Sequence, residues 1–186
     1  MTCILFIQTK HINIKPNFEI HFNMEVSPWK SYWFQWELWK DYDILEVRSE
    51  SVADTQSFAE ELVNRINIGI VVALKGELGT GKTTFAQGFA KGLGIRDRVG
   101  SPTFKLVSEY IGSPFNLYHV DCYRLKNAVE FLNLGGEDLL MPHDGVTLIE
   151  WADVIQSLLP GDVIEIKFSR LKNHPNTRII NIKGIW

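Results

Sequence analysis

Apolar positions along the chain change their period several times, and each change marks an element. Near the N-terminus Trp29, Trp33 and Trp36 stand at i, i+4 and i+7, and Tyr32, Trp36 and Trp39 repeat the spacing one step round, which predicts a helix over 28–42 with a broad aromatic face. A short strand over 44–47 follows, then a helix opened by Ser51 or Asp54 that carries Phe58, Leu62 and Ile66 at i, i+4 and i+8 and ends near Asn67. Residues 68–74 form an almost unbroken aliphatic and β-branched run, the pattern of a strand covered on both faces in a parallel sheet. A glycine-rich turn leads into a helix over 82–93, closed by Gly94. The runs 103–110 and 115–120, joined by Gly112-Ser113-Pro114, predict an antiparallel hairpin. Short helices over 128–132 and 137–140 lead to a strand over 146–149 and a helix over 152–159, stopped by Pro160-Gly161; 163–168 and 178–182 predict a second hairpin. Strands and helices alternate in the centre, so the class is α/β, a single domain whose sheet is made mixed by two antiparallel hairpins and carries helices on both faces.

Composition divides the chain. All 14 glycines lie at or after Gly69, whereas residues 1–47 hold none but contain four of the six tryptophans. The expected organisation is therefore an aromatic-rich extension over 1–47 and a folded domain over 48–186. The extension admits two readings: an amphipathic helix that docks on a partner or a membrane surface, or a weakly ordered addition, including upstream sequence translated from a misplaced start with Met24 as another candidate. With 186 residues, 45% of them hydrophobic and 22% charged, the chain can bury an ordinary core, which excludes disorder of the whole. A net charge of −3 argues against a free-standing nucleic-acid binder, because phosphate backbones are held by a large Lys/Arg excess; any RNA is expected to be carried by a partner. The two cysteines, Cys3 and Cys122, have neither disulfide-framework nor zinc-ligand spacing, and the longest apolar runs are too short to span a bilayer, so a reducing cytoplasm is expected.

The chemistry is concentrated in Gly76-Glu77-Leu78-Gly79-Thr80-Gly81-Lys82-Thr83, which matches the phosphate-loop pattern G-x-x-x-x-G-K-[ST] at every fixed position. It lies directly after a predicted buried strand and directly before a predicted helix, which is the context that pattern requires. Glycines let several backbone N–H groups converge on phosphate oxygens, and the helix N-terminus adds partial positive charge beneath them. Lys82 can reach the β- and γ-phosphates, and the Thr83 hydroxyl can ligate Mg²⁺, so ATP and Mg²⁺ are the expected cofactors. No N-K-x-D or T-K-x-D guanine-reading element occurs, which favours ATP over GTP.

A phosphate loop needs an acid to hold the metal and to orient the attacking group. Asp121 closes the run 115–120 and Glu150 closes 146–149, both at the strand ends where open α/β sheets place ligands. The residues alone do not divide metal holding from water positioning between the two acids. Ser101-Pro102-Thr103-Phe104 stands about where other phosphate-loop proteins keep a γ-phosphate-sensing switch; a rigid turn before a strand is the alternative.

From about Ser49 to its end the chain resembles the TsaE family, the small ATPase of bacterial tRNA threonylcarbamoyladenosine biosynthesis. The resemblance rests on the phosphate loop with Thr84-Phe85 after it, on Ser101-Pro102-Thr103-Phe104, on Tyr118-His119-Val120-Asp121-Cys122-Tyr123-Arg124, and on Ile149-Glu150-Trp151. It implies a phosphate-loop NTPase-like fold and a weakly ATP-hydrolysing protein that works with TsaB and TsaD partners. That complex transfers a threonylcarbamoyl group to the adenosine beside the anticodon of tRNAs reading codons that begin with A, so tRNA is met through the complex. Carried over residue by residue, the resemblance implies that Thr83 and Glu150 hold magnesium, that Asp121, with Lys82, serves hydrolysis, and that Glu77, Leu78, Gly79, Thr80, Gly81, Lys82, Thr83 and Thr84 cradle the nucleotide. It also places Thr55 and Arg178 against the nucleotide's outer parts. Ala152-Asp153 after Trp151 and the pair Gly135-Gly136 depart from the family's usual residues. Two other functions compete: a nucleoside-type small-molecule kinase, for which Arg170 and Arg178 are too few and too spread to make an arginine-bearing lid, and an assembly factor in which nucleotide binding matters without essential turnover.

Overall fold

The computed structural model describes residues 20–21 and 45–184. The predicted aromatic helix over 28–42 lies outside the described residues. One sheet of seven longer strands, with the two-residue strand β1 (Ile20–His21) at its edge, runs β1-β2-β8-β7-β3-β6-β5-β4. The strands are β2 (Leu45–Ser49), β3 (Val71–Lys75), β4 (Val107–Tyr110), β5 (Asn116–Asp121), β6 (Gly145–Glu150), β7 (Ile164–Leu171) and β8 (His174–Lys183). Strands β7, β3, β6 and β5 are mutually parallel and form the centre, while β4 and β8 join antiparallel as the outer members of the two predicted hairpins.

Helices cover both faces. Helix α1 (Val52–Val63) and α2 (Lys82–Gly92) pack on one face over Val72, Leu74, Leu117, Leu148 and Ile166, and α3 (Ala128–Asn133) with the 3₁₀ segment Ala152–Leu158 packs on the other over Val71, Ala73, Val120 and Ile149. Alternation along a strand sends successive side chains to opposite faces, so the aliphatic run of β3 divides itself between the two cores. Helices α1 and α2 approach closely at Gly88, where a Cβ would stand 2.5 Å from the Gln56 Cα, a spacing that only glycine permits.

Local chemistry explains the element ends. Ser51, rather than Asp54, caps α1: its Oγ accepts from the Asp54 N–H at 3.0 Å, while the Asp54 carboxylate reaches one residue further back and accepts from the Glu50 N–H at 3.0 Å. The helix stops at Val63, earlier than the apolar spacing predicts, because the N–H groups of Asn64 and Arg65 bond three residues back and tighten the last turn. Ile66 still reaches the core from the connection that follows. The next strand starts only at Val71, since Gly69 turns with φ +88° and Ile68 is exposed. Residues 103–106 form a turn instead of the predicted strand start: the Lys105 and Leu106 N–H groups both bond the Pro102 carbonyl, and Leu106 adopts φ +69°. The segment after β6 is 3₁₀ rather than α-helical, entered through a left-handed Trp151 and kinked at Ile155.

Candidate functional site

The C-terminal ends of β3, β5 and β6 meet on one rim of the sheet, and the turn after each supplies part of a cleft of roughly 350 Å³. The loop 76–81 joins β3 to α2. Gly76 (φ +133°) and Gly81 (φ +110°, the residue capping α2) hold backbone angles that other residues rarely adopt, and a Cβ at Gly76 would meet the Phe168 carbonyl at 2.5 Å. No side chain caps α2, so its first N–H groups are left to whatever the loop encloses. Thr80 braces the loop from beneath, its hydroxyl donating to the Glu77 carbonyl at 2.7 Å.

Lys82 is buried, and its Nζ donates to the carbonyls of Gly76 at 2.6 Å and Glu77 at 2.9 Å. The same Nζ lies 3.9 Å from the centre of the Trp151 indole. Burial pushes the Lys82 amine below its ordinary pKa, while Glu150, Asp121 and Asp153 pull it back up. Trp151 reaches this position through its own left-handed backbone, φ +59°, an uncommon conformation for a bulky residue and one that folds the ring back over the lysine.

Asp121 and Glu150 end neighbouring parallel strands in direct register, so both carboxylates face the phosphate loop, and both are buried. Glu150 Oε2 accepts from the Thr83 hydroxyl at 2.9 Å, and Oε1 lies 2.9 Å from His119 Nε2. Asp121 Oδ2 accepts from the hydroxyls of Ser101 and of Thr103, the latter at 2.6 Å, and Oδ1 accepts from the Tyr123 N–H at 2.9 Å. The turn at 103–106 is what brings Thr103 to the carboxylate, so the replaced strand start has a direct consequence at the site.

Ten of the twelve sequence-predicted residues line the cleft: Leu78, Gly79, Gly81, Lys82, Thr83 and Thr84 from the loop and α2, Asp121 and Glu150 from the strand ends, and Thr55 and Arg178 from the outer wall. Glu77 and Thr80 stand behind it, supplying loop carbonyl and brace. Thr55 is buried, its hydroxyl paired with Ser49 at 2.7 Å, and Arg178 donates to the carbonyls of Pro175 and Thr177. Arg170 donates to the carbonyls of Leu78 and, at 2.9 Å, Gly79, fastening the loop to β7. Arg170 is thus engaged with loop carbonyls, and Arg178 with carbonyls of its own strand.

The sequence assigns no contact to Trp151, Arg170 or His119: Trp151 and His119 stand inside the Ile149-Glu150-Trp151 and Tyr118–Arg124 motifs with no role of their own, and Arg170 lies in no motif. Ser101 and Thr103 belong to the candidate switch segment, and their hydroxyls join Asp121. Among the described residues no three His, Cys, Asp or Glu side chains form a metal-holding group. A hydroxyl beside one carboxylate at the mouth of a phosphate loop suits a different kind of cation, one that brings phosphate and water as its remaining ligands, which is how Mg²⁺ is commonly held.

The family model described as "Threonylcarbamoyl adenosine biosynthesis protein TsaE" matches residues 49–180. A tRNA threonylcarbamoyladenosine biosynthesis protein TsaE from Bacillus subtilis is 40% identical over 126 residues, covering 68% of this chain and 78% of that one. A protein of the same name from Treponema pallidum is 38% identical over 118 residues, covering 63% of this chain and 86% of its own length. The crystal structure of Bacillus subtilis YdiB superposes with a TM-score of 0.61 at 31% identity, over 77% of this chain and 86% of that one.

Proposed function

The chain belongs to the TsaE family of tRNA threonylcarbamoyladenosine biosynthesis, and from that membership together with the cleft we propose that it binds ATP with Mg²⁺, hydrolyses it weakly, and serves the modification through TsaB and TsaD partners in the cytoplasm. On this reading the acceptor is the adenosine beside the anticodon of tRNAs reading codons that begin with A, and the tRNA is met through the complex. The observation that carries the nucleotide reading is the meeting of Thr83 Oγ1 and Glu150 Oε2 at 2.9 Å beside the buried amine of Lys82, at the N-terminus of α2.

Each residue then has a task. The loop amides and the helix N-terminus hold the phosphates, and Lys82 sets its cation against the β- and γ-oxygens. Thr83 and Glu150 would hold the metal, which would offset the charge that develops on the phosphate oxygens. Asp121 orients the attacking water, its carboxylate kept in place by Ser101, Thr103 and the Tyr123 amide. Thr55 and Arg178 stand where the nucleoside end would lie, on the outer wall.

The reading is tested by phosphate release from ATP with the protein alone and with TsaB and TsaD, and by nucleoside phosphorylation in the same reactions. Release that depends on Mg²⁺ and rises with the partners is expected. Phosphoryl transfer to a nucleoside in place of water would replace this reading with a kinase.

A further inference from the structure

We propose that His119 is a positioning residue for the metal-holding carboxylate, fixing the rotation of Glu150 so that one oxygen stays open toward Thr83 and the cleft. The inference rests on the assignment of Glu150 to the metal made above. His119 lies on the α1/α2 face of β5, between Leu117 and Asp121, and its side chain is wholly enclosed. Nothing in the phosphate-loop chemistry calls for an imidazole there. An aliphatic side chain would fill a core position of this kind without burying polar nitrogen.

The ring's hydrogen bonding is unequal. Nε2 stands 2.9 Å from Glu150 Oε1, and Nδ1 is buried with no partner among the described residues. A carboxylate only accepts, so the N–H is on Nε2, and the contact with Glu150 is the one polar interaction the ring makes among the described residues. Enclosing an imidazole whose second nitrogen goes unanswered costs stability, and the contact with Glu150 is the return that the structure displays.

The effect on Glu150 follows from its torsions. The last bond of a glutamate side chain turns easily, since terminal sp³–sp² torsions have broad wells. Two bonds stop it here: Nε2–H on Oε1 and the Thr83 hydroxyl on Oε2. Thr83 is itself assigned to the cation, so His119 is the partner of Glu150 that has no contact of its own with the metal to make. Without the imidazole, Oε1 would be buried and unpaired, and the carboxylate could rotate away from the loop. Partners of this kind change metal affinity by about 10- to 100-fold when removed.

The test is calorimetric titration of the full chain with a non-hydrolysable ATP analogue, in Mg²⁺ and in EDTA, for wild type, His119→Gln, His119→Asn and His119→Leu, with thermal midpoints alongside. Gln carries its amide N–H to about the reach of Nε2, whereas Asn is too short. His119→Leu and His119→Asn are expected to reduce the Mg²⁺-dependent gain in affinity by about tenfold or more, His119→Gln to stay within about threefold of wild type, and the affinity in EDTA to change less than about twofold throughout. An undiminished gain in His119→Asn, an equal loss in Gln and Asn, or an equal loss with and without the cation would each overturn the proposal. Should His119→Leu fail to fold, the contrast between Gln and Asn decides. A wild type whose affinity ignores Mg²⁺ overturns the assignment of Glu150 and this proposal with it; a Mg²⁺-dependent wild type with indifferent His119 variants overturns this proposal alone.

Discussion

On the proposed reading, Asp121→Asn is expected to separate binding from hydrolysis at this site with little change of shape. In the wild type the carboxylate accepts three hydrogen bonds, from two hydroxyls and one backbone amide. The replacement amide can keep its oxygen toward the Tyr123 N–H and turn its nitrogen toward Ser101 and Thr103, whose hydroxyls can rotate to accept. Every bond survives, but each changes from charge-assisted to neutral, a loss of about 1 kcal/mol apiece and about 3 in all. Removing a buried charge offsets part of this, leaving a net cost of about 1–2 kcal/mol. For a chain of this size that lowers the thermal midpoint by about 2–8 °C. The chemical effect is larger. Losing the group that orients the water should reduce hydrolysis by about 10²–10⁴-fold, or roughly 2.7–5.5 kcal/mol of barrier, with nucleotide still bound. Phosphate release at saturating ATP, calorimetric affinity and a melting curve measure the three quantities on one preparation. Hydrolysis at the wild-type rate would refute the assignment, and so would an affinity loss as large as the loss of rate.

Lys82→Ala should weaken ATP binding by about 10- to 150-fold, the worth of one or two charged hydrogen bonds, with a cooperative melt retained; unchanged calorimetric affinity would defeat it. A chain beginning at Ile44 should fold and bind ATP, because among the described residues the strand from Leu45 and both cores lie beyond that point and only the two-residue β1 precedes it; a fall of more than about ten degrees in thermal midpoint would show that the preceding residues belong to the core. Burial, with Asp121 beside it, pushes the Cys122 thiol up to about 12, so peptide-mapped alkylation at pH 8 should occur only as the domain unfolds; rapid labelling of the native protein would contradict this. Its folded pKa is raised above the unfolded value of 9.0, so its contribution to stability is whole below about pH 9 and lost as pH rises toward 12. Cys122→Ala should therefore lose less stability than wild type across that window, as read from urea midpoints.

The parts of this protein that local pattern governs were legible in its sequence. The phosphate loop could be read because its geometry is imposed by glycine conformations and a fixed lysine spacing, and both acids because they terminate apolar runs whose ends mark strand ends. The mixed α/β class followed from period changes, the first hairpin from its Gly112-Ser113-Pro114 turn, and the second from two successive apolar runs. What needed the tertiary structure was everything set by register and packing between distant segments. No local pattern says that β5 and β6 are parallel neighbours with Asp121 opposite Glu150, since strand order is decided by which apolar faces bury one another. The end of α1, the late start of β4 and the 3₁₀ segment after Trp151 depend on hydrogen bonds and φ values that apolar spacing does not carry. His119 shows the difference most sharply. In sequence it is a motif residue with no role assigned to it, and its contact with Glu150, 31 positions away, exists only because two parallel strands bring a diagonal pair together inside a core.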